Sequence, residues 1–188
     1  LYVPETQRFT YAQQEDTAFY ARSMQGAYQG FFEANIQADW VHVDHMDEYD
    51  TLYLSFPVML EQATADRLRR WVEAGGTLIV EGCPGYWGDR ARVGTKQPNL
   101  GLDELFGAWE SYVEFTPDLL GDLQFNLSGV PVWGGIFLQA YEPTSGTPVG
   151  WYEDGRVAAI EHRLGRGKTR LIGTMAGAGY AAHPEDRS

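Results

Sequence analysis

Apolar residues recur at three- and four-residue spacing twice in the first half of the chain. Phe19, Ser23, Ala27, Phe31 and Ala34 form one stripe, widened by Met24, Tyr28 and Phe32, which predicts a helix over about 16–34. Asp16 or Thr17 is its expected cap. Leu68, Trp71 and Val72 mark a second helix over 65–74, with Thr64 as N-cap and Gly75 at the C-terminal stop. Four apolar runs around these helices read as strands: 1–4, 38–45, 50–57 and 77–82. The third is apolar almost throughout, as in a strand covered on both faces. The first ninety residues therefore read β-α-β-β-α-β, with only "HMDEYD" between the two middle strands. Such alternation implies a largely parallel sheet with helices on both faces.

Two stretches carry no period and read as loops: 5–16, polar with aromatics, and 83–101, rich in Gly and Pro. "LDELFG" is a short helix ended by Gly107. Short strands then follow at regular spacing, over 111–117, 122–127, 135–143, 148–153, 156–164 and 168–174, separated by turn signals. "YEDGRVA" predicts a hairpin on a type I′ turn, and "GRG" a second tight turn. The last run is apolar enough to rejoin the main sheet. The expected organisation is one domain, with an α/β core over 1–107, a β-rich hairpin region over 108–166 and a strand returning to the core within 167–182. The apolar opening "LYVPE" and the unstructured close "HPEDRS" read as a segment of a longer polypeptide.

The chain has 188 residues, 44% hydrophobic and 21% charged, which is a globular composition. Its net charge is −12, with only 14 scattered Lys and Arg. That field repels phosphate backbones and anionic lipids, so neither nucleic acid nor a membrane surface is an expected partner. A neutral ligand such as carbohydrate suits the charge better. No apolar run reaches the roughly 20 residues needed to span a bilayer as a helix.

The one cysteine, Cys83, follows a strand in "EAGGTLIVEGCPG". The placement resembles the nucleophile elbow of class I glutamine amidotransferases, where Gly-x-Cys-x-Gly ends a strand. "HPE" at His183–Glu185 matches that family's partner motif, so Cys83, His183 and Glu185 form one candidate triad. Against it, Glu81 stands where the first glycine belongs. Pro84 has no N–H to give an oxyanion hole, and "AGAGYAA" delays the histidine. The competing reading is a small buried cysteine.

Other chemistry is weaker. His42 and His45 lie among Asp44, Asp47, Glu48 and Asp50, but three residues apart on a strand they face opposite sides, so a solvated strand end is expected and no metal site. Glu81 at a strand end has the chemistry of a general acid or base, with no second carboxylate to pair with it. The Gly-rich stretches lack the strand–turn–helix setting of a nucleotide loop, and no cofactor is expected. Phe9 and Tyr11 in the first loop, and Tyr86 and Trp87 in the second, follow strands of the expected parallel sheet. They should emerge at one edge as a binding or interface loop, or as anchors on the domain's own core.

Residues 15–82 carry a broader pattern. A helix runs into "ANIQADWV" (Ala34–Val41), followed by Tyr49 to Leu60 and by a helix ending in Gly-Gly before Val80. With the closing "GRGKTRLIGTMAGAGY", this resembles the trimerisation domain of family 42 glycoside hydrolases, the β-galactosidases. The resemblance implies a three-layer α/β/α flavodoxin-like fold, akin to class I glutamine amidotransferases but without their triad, with added antiparallel β hairpins in the C-terminal half. It also implies a non-catalytic domain that follows a catalytic TIM barrel and joins subunits into a trimer, the catalytic glutamates lying in the barrel.

Overall fold

A computed structural model describes residues 1–12, 18–115, 121 and 123–186, without the side chains of 11, 12 and 18. The expected caps Asp16 and Thr17 lie outside these residues.

The chain opens with helix α1 (Pro4–Ala12), where a loop was expected. Proline suits a first helical turn, because its fixed φ matches and its missing N–H has no partner there anyway. The buried face of α1 is polar: Glu5, Thr6 and Thr10. Helix α2 (Ala18–Glu33) follows the predicted stripe. The strand expected over 38–45 does not form. Tyr2 and His42 make one isolated bridge, and Val43–Glu48 winds into a 3-10 helix. Buried Val43 and Met46 are three apart, the period of that helix, and the His42 ring accepts the Asp44 N–H at 3.2 Å.

Strand β1 (Thr51–Ser55), helix α3 (Gln62–Glu73) and strand β2 (Thr77–Glu81) follow as predicted. The cap of α3 differs. Glu61 holds the capping position, and Thr64 lies inside the first turn. There its hydroxyl and the Glu61 N–H both donate to the Glu5 carboxylate of α1. A carboxylate at a helix N-terminus is also favourable to the helix dipole. Helix α4 (Leu102–Phe106) ends at Gly107, whose φ of 67° is left-handed.

The remaining strands are β3 (Ala108–Phe115), β4 (Gln124–Leu127), β5 (Val130–Trp133), β6 (Phe137–Pro143), β7 (Thr147–Tyr152), β8 (Val157–Leu164) and β9 (Gly167–Ile172). Helix α5 (Ala176–Ala182) closes the set. Neither β5 nor α5 was expected. Pro131 argues against a strand, yet β5 is the sheet's last strand, where proline is tolerated.

The expected mostly parallel flavodoxin-like sheet is not what the chain forms. The main sheet has the order β1-β2-β9-β8-β7-β4-β5. Only β1/β2 and β2/β9 are parallel; the other four pairs are antiparallel. The sheet curls as a half-barrel flanked by helices, and β3 and β6 pair apart from it. For three of those four antiparallel pairs the reason is local: β4/β5, β7/β8 and β8/β9 are joined by connections of two to four residues, too short for the crossover that parallel neighbours need. These hairpins are not additions to a parallel sheet but most of the sheet itself. In "YEDGRVA" only Gly155 takes a positive φ, 86°, and the Tyr152 N–H reaches Arg156 O. The turn is thus a three-residue loop with glycine in its left-handed position, rather than type I′.

Candidate functional site

β1 and β2 end side by side, and the Phe56 N–H donates to Glu81 O at 2.9 Å. The chain then turns sharply, with φ of 64° at Gly82 and 44° at Cys83. A left-handed conformation at a non-glycine residue costs on the order of 1 kcal/mol, so the elbow shape is present. The loop beyond it is laced to 57–60: Gly85 N donates to Pro57 O at 2.8 Å and Trp87 N to Val58 O at 3.0 Å.

The chemistry an elbow serves is a different matter. Cys83 is 1% exposed, among Tyr20, Phe56, Val58, Ile136, Met175 and Ala178. Burial, then the nearby Glu110 carboxylate, pushes its thiol well above the ordinary range, against thiolate formation. Its N–H is taken by Gln139 Oε1 at 2.6 Å. Gln139 Nε2 donates to Glu110 Oε2 at 2.6 Å, and the Tyr86 hydroxyl donates to the same oxygen. Tyr141 OH reaches Gln139 Oε1 at 3.4 Å. Burial raises the Glu110 carboxyl against the lowering effect of Tyr86 and Gln139. This network ties the elbow loop to β3 and β6, and it was not read from the sequence. The available signal is the lone amide in "IFLQAY", a polar residue inside an apolar strand.

Iodoacetamide is therefore expected to label Cys83 only as fast as the protein opens. Rapid labelling of the folded protein at neutral pH would contradict this burial.

His183 follows α5. Its ring stacks on Trp133 at 3.8 Å and 12°, with Nδ1 3.3 Å from Glu185 Oε1 and Nε2 3.2 Å from Gly121 O. The structure thus brings His183 and Glu185 together, while Cys83 meets Gln139 in the core. His183, Glu185 and Asp186 offer ligand atoms within 4.8 Å of one another, and Asp186 already accepts the Trp133 indole N–H at 2.9 Å. His42 caps its 3-10 helix, and His45 lies 3.3 Å from Glu48.

Three of the four loop aromatics are placed. The Phe9 and Trp87 rings meet at 4.4 Å, and Tyr86 lies 6.0 Å from Trp87. All three are half-buried against the cluster around Cys83. Tyr11 stands in the last turn of α1, its side chain outside the description.

Glu81 is fully buried at the end of β2. Its carboxylate receives Tyr53 OH at 2.7 Å, Gly177 N at 2.8 Å and the Ser23 hydroxyl. Burial pushes its carboxyl up to about 7, against the lowering effect of the Gly177 N–H, Tyr53, Ser55 and the Ala176 N–H. It joins β1, β2, α2 and α5 at one point.

The family model described as "Beta-galactosidase trimerisation domain" matches residues 2–183. The chain belongs to that family. Solved structures of several larger proteins contain the same fold. A β-galactosidase from Bacillus circulans sp. alkalophilus is 18% identical, with TM-score 0.76 over 89% of this chain and 26% of that one. One from the haloarchaeon Halorubrum lacusprofundi is 20% identical, with TM-score 0.76 over 89% and 26%. An exo-β-1,4-mannosidase from Opitutaceae bacterium strain TAV5 is 18% identical, with TM-score 0.66 over 89% and 29%. The trimerisation domain spans about a quarter of the length of those enzymes. No curated protein sequence matches it.

Proposed function

We propose that this chain is the non-catalytic accessory domain of a larger β-galactosidase-like glycoside hydrolase. It holds three copies of the parent enzyme together beside a catalytic TIM barrel of the same polypeptide. The family match over residues 2–183 carries the reading. The elbow supports it from the chemical side: Cys83 is buried, its N–H is spent on Gln139, and Pro84 follows. A site with no accessible nucleophile and no free amide donor keeps the shape of an elbow for packing alone. Phe9, Tyr86 and Trp87 then act as anchors of the loop, with one edge left at the surface.

Sedimentation equilibrium of the polypeptide that carries this chain is expected to give a trimer. Deleting residues 1–188 should release monomers. A strict monomer at high concentration with the chain present would overturn the reading. In the same polypeptide, Cys83→Ala should leave sugar hydrolysis within about twofold, because the cysteine takes no part in it.

A further inference from the structure

Leu1, Tyr2 and Val3 run between two lengths of chain. On one side the Tyr2 N–H donates to Val41 O at 2.8 Å, and the Val43 N–H donates to Tyr2 O at 3.1 Å. That exchange sets Tyr2 level with His42 in parallel register. On the other side the Leu1 nitrogen donates to Tyr53 O, in the middle of β1, at 2.6 Å. In a parallel ladder a donor bonds the residue before its level partner, as Tyr2 does with Val41, so Leu1 lies level with Leu54. The packing agrees: Leu1, Val41 and Leu54 meet in one core cluster with Leu68 and Val72 of α3.

A charged amino group is costly at this point. Burial lowers the Leu1 α-amino group from 8.0 to about 6. A peptide N–H in the same position would make the same bond to Tyr53 O without a charge.

Beyond Leu1 the two flanking lengths of chain continue side by side. Residues 38–41 take neither helix nor strand, although their apolar pattern reads as a strand. β1 stands at one end of the sheet order. Between them, under α2, lies a cavity of about 180 Å³, lined by Leu1, Met24, Ala27, Phe31, Trp40 and Tyr53 among others. The N–H and C=O of one strand residue point to the same side. Val41 and Tyr53, whose carbonyls take Tyr2 and Leu1, therefore turn their N–H groups to this groove as well.

We infer that the residues preceding Leu1 in the parent polypeptide continue as a strand through this groove, parallel to 38–42 on one side and to β1 on the other. The inference rests on the reading that a longer polypeptide carries this chain, and not on its assembly as a trimer. Register sets the placement. The residue directly before Leu1 is level with Trp40 and Tyr53. Both rings face α2, Trp40 stacked on Tyr28 and Tyr53 edge-on to Phe31, so an apolar side chain there enters the cavity. Its C=O accepts the Val41 N–H, and the residue before it accepts the Tyr53 N–H. About three residues, roughly 10 Å of strand, reach the level of Ala38 and Thr51. Strand pairing runs through the main chain, so the exposed Asp39 carboxylate, which accepts the Tyr49 hydroxyl at 3.3 Å, does not oppose it. The apolar run at 38–45 then has its strand partner, and the parent chain enters the domain as a fixed strand rather than a free linker.

In the full polypeptide, hydrogen exchange should find the Val41 and Tyr53 amides protected as well as those inside β2. Proline in place of the residue directly before Leu1 removes the N–H that would reach Asp39 O. It should lower the urea midpoint for labelling of Cys83 more than alanine does at that position. Ala27→Phe probes the cavity with opposite signs. It overfills a cavity that already holds a side chain and lowers the midpoint, whereas in an open cavity it leaves or raises it. Rapid exchange at Val41 and Tyr53, a proline no worse than alanine, or an Ala27→Phe midpoint that does not fall would overturn the strand. Sedimentation of the same samples keeps the two readings apart: a monomer with both amides protected would remove the trimer and keep the strand.

Discussion

Glu81→Leu is expected to destabilise the fold by about 3–5 kcal/mol, seen as a lower urea midpoint with an unchanged slope. Leucine fills a similar volume but accepts no hydrogen bond. The Ser23 and Tyr53 hydroxyls and the Gly177 N–H would all stay buried without their partner. Glu81→Gln keeps an acceptor in place and should cost far less, and it separates hydrogen bonding from ionisation. The Glu81 carboxyl is raised by burial to about 7, from an ordinary 4.5. The folded protein therefore keeps a proton that the unfolded chain gives up, and linkage fixes the sign: stability falls as pH rises from about 4.5 to about 7. At 1.36 kcal/mol per unit the loss is at most roughly 3 kcal/mol. Urea melts at pH 5 and pH 7.5 should show it in the wild type and a flatter profile in Glu81→Gln. An undiminished slope in that variant would assign the titration to another group.

The parts of the fold legible in the sequence were those whose burial is apolar and periodic. α2 and α3 announce themselves by their stripes, and β1, β2 and β9 by short apolar runs at the right places. α1 stayed hidden because its inner face is polar: Glu5 and Thr6 are satisfied more than fifty residues away, by Thr64 and by Met59 O, and Thr10 by Gln7 O of its own helix. Hydrophobic periodicity has nothing to detect there, and Pro4 was the one available signal. The sense of the sheet was misread for a related reason. A strand's apolar pattern records burial, not the direction of its neighbour, whereas the turn chemistry between β7, β8 and β9 does record direction. At the site, the elbow was legible as glycines around Cys83, and Pro84 marked the missing donor. The Gln139–Glu110–Tyr86 network was not, because it joins three distant segments, two brought together by the β3–β6 pairing and the third supplied by the loop after β2.

Gly26→Ala is the second large effect expected, about 2–4 kcal/mol of lost stability. A methyl group at Gly26 would sit 1.7 Å from the Gly177 carbonyl oxygen, and one at Gly177 would sit 2.2 Å from Ser23 O. Neither glycine has a positive φ, so the demand is for space between two helix backbones and not for an unusual conformation. This explains why "AGAGYAA" looks like a loop and folds as a helix. Its glycines, two apart, face opposite sides: Gly177 lies against α2, and Gly179 against the Trp133 backbone, with a Cβ distance of 2.6 Å. Gly30 supplies the contrast. A Cβ there meets only the Tyr180 ring at 3.7 Å, an ordinary contact. Gly30→Ala should then be neutral or stabilise by up to about 1 kcal/mol through helix propensity. Opposite signs from the same substitution in the same helix, read in parallel thermal melts, would locate the close approach at Gly26. Equal and small effects would mean that α2 and α5 can move apart. The effects at Glu81 and at the α2–α5 contact should also couple. Pushing α5 away draws the Gly177 N–H from Glu81, so Gly177→Ala in a Glu81→Gln background should cost less than it does in the wild type.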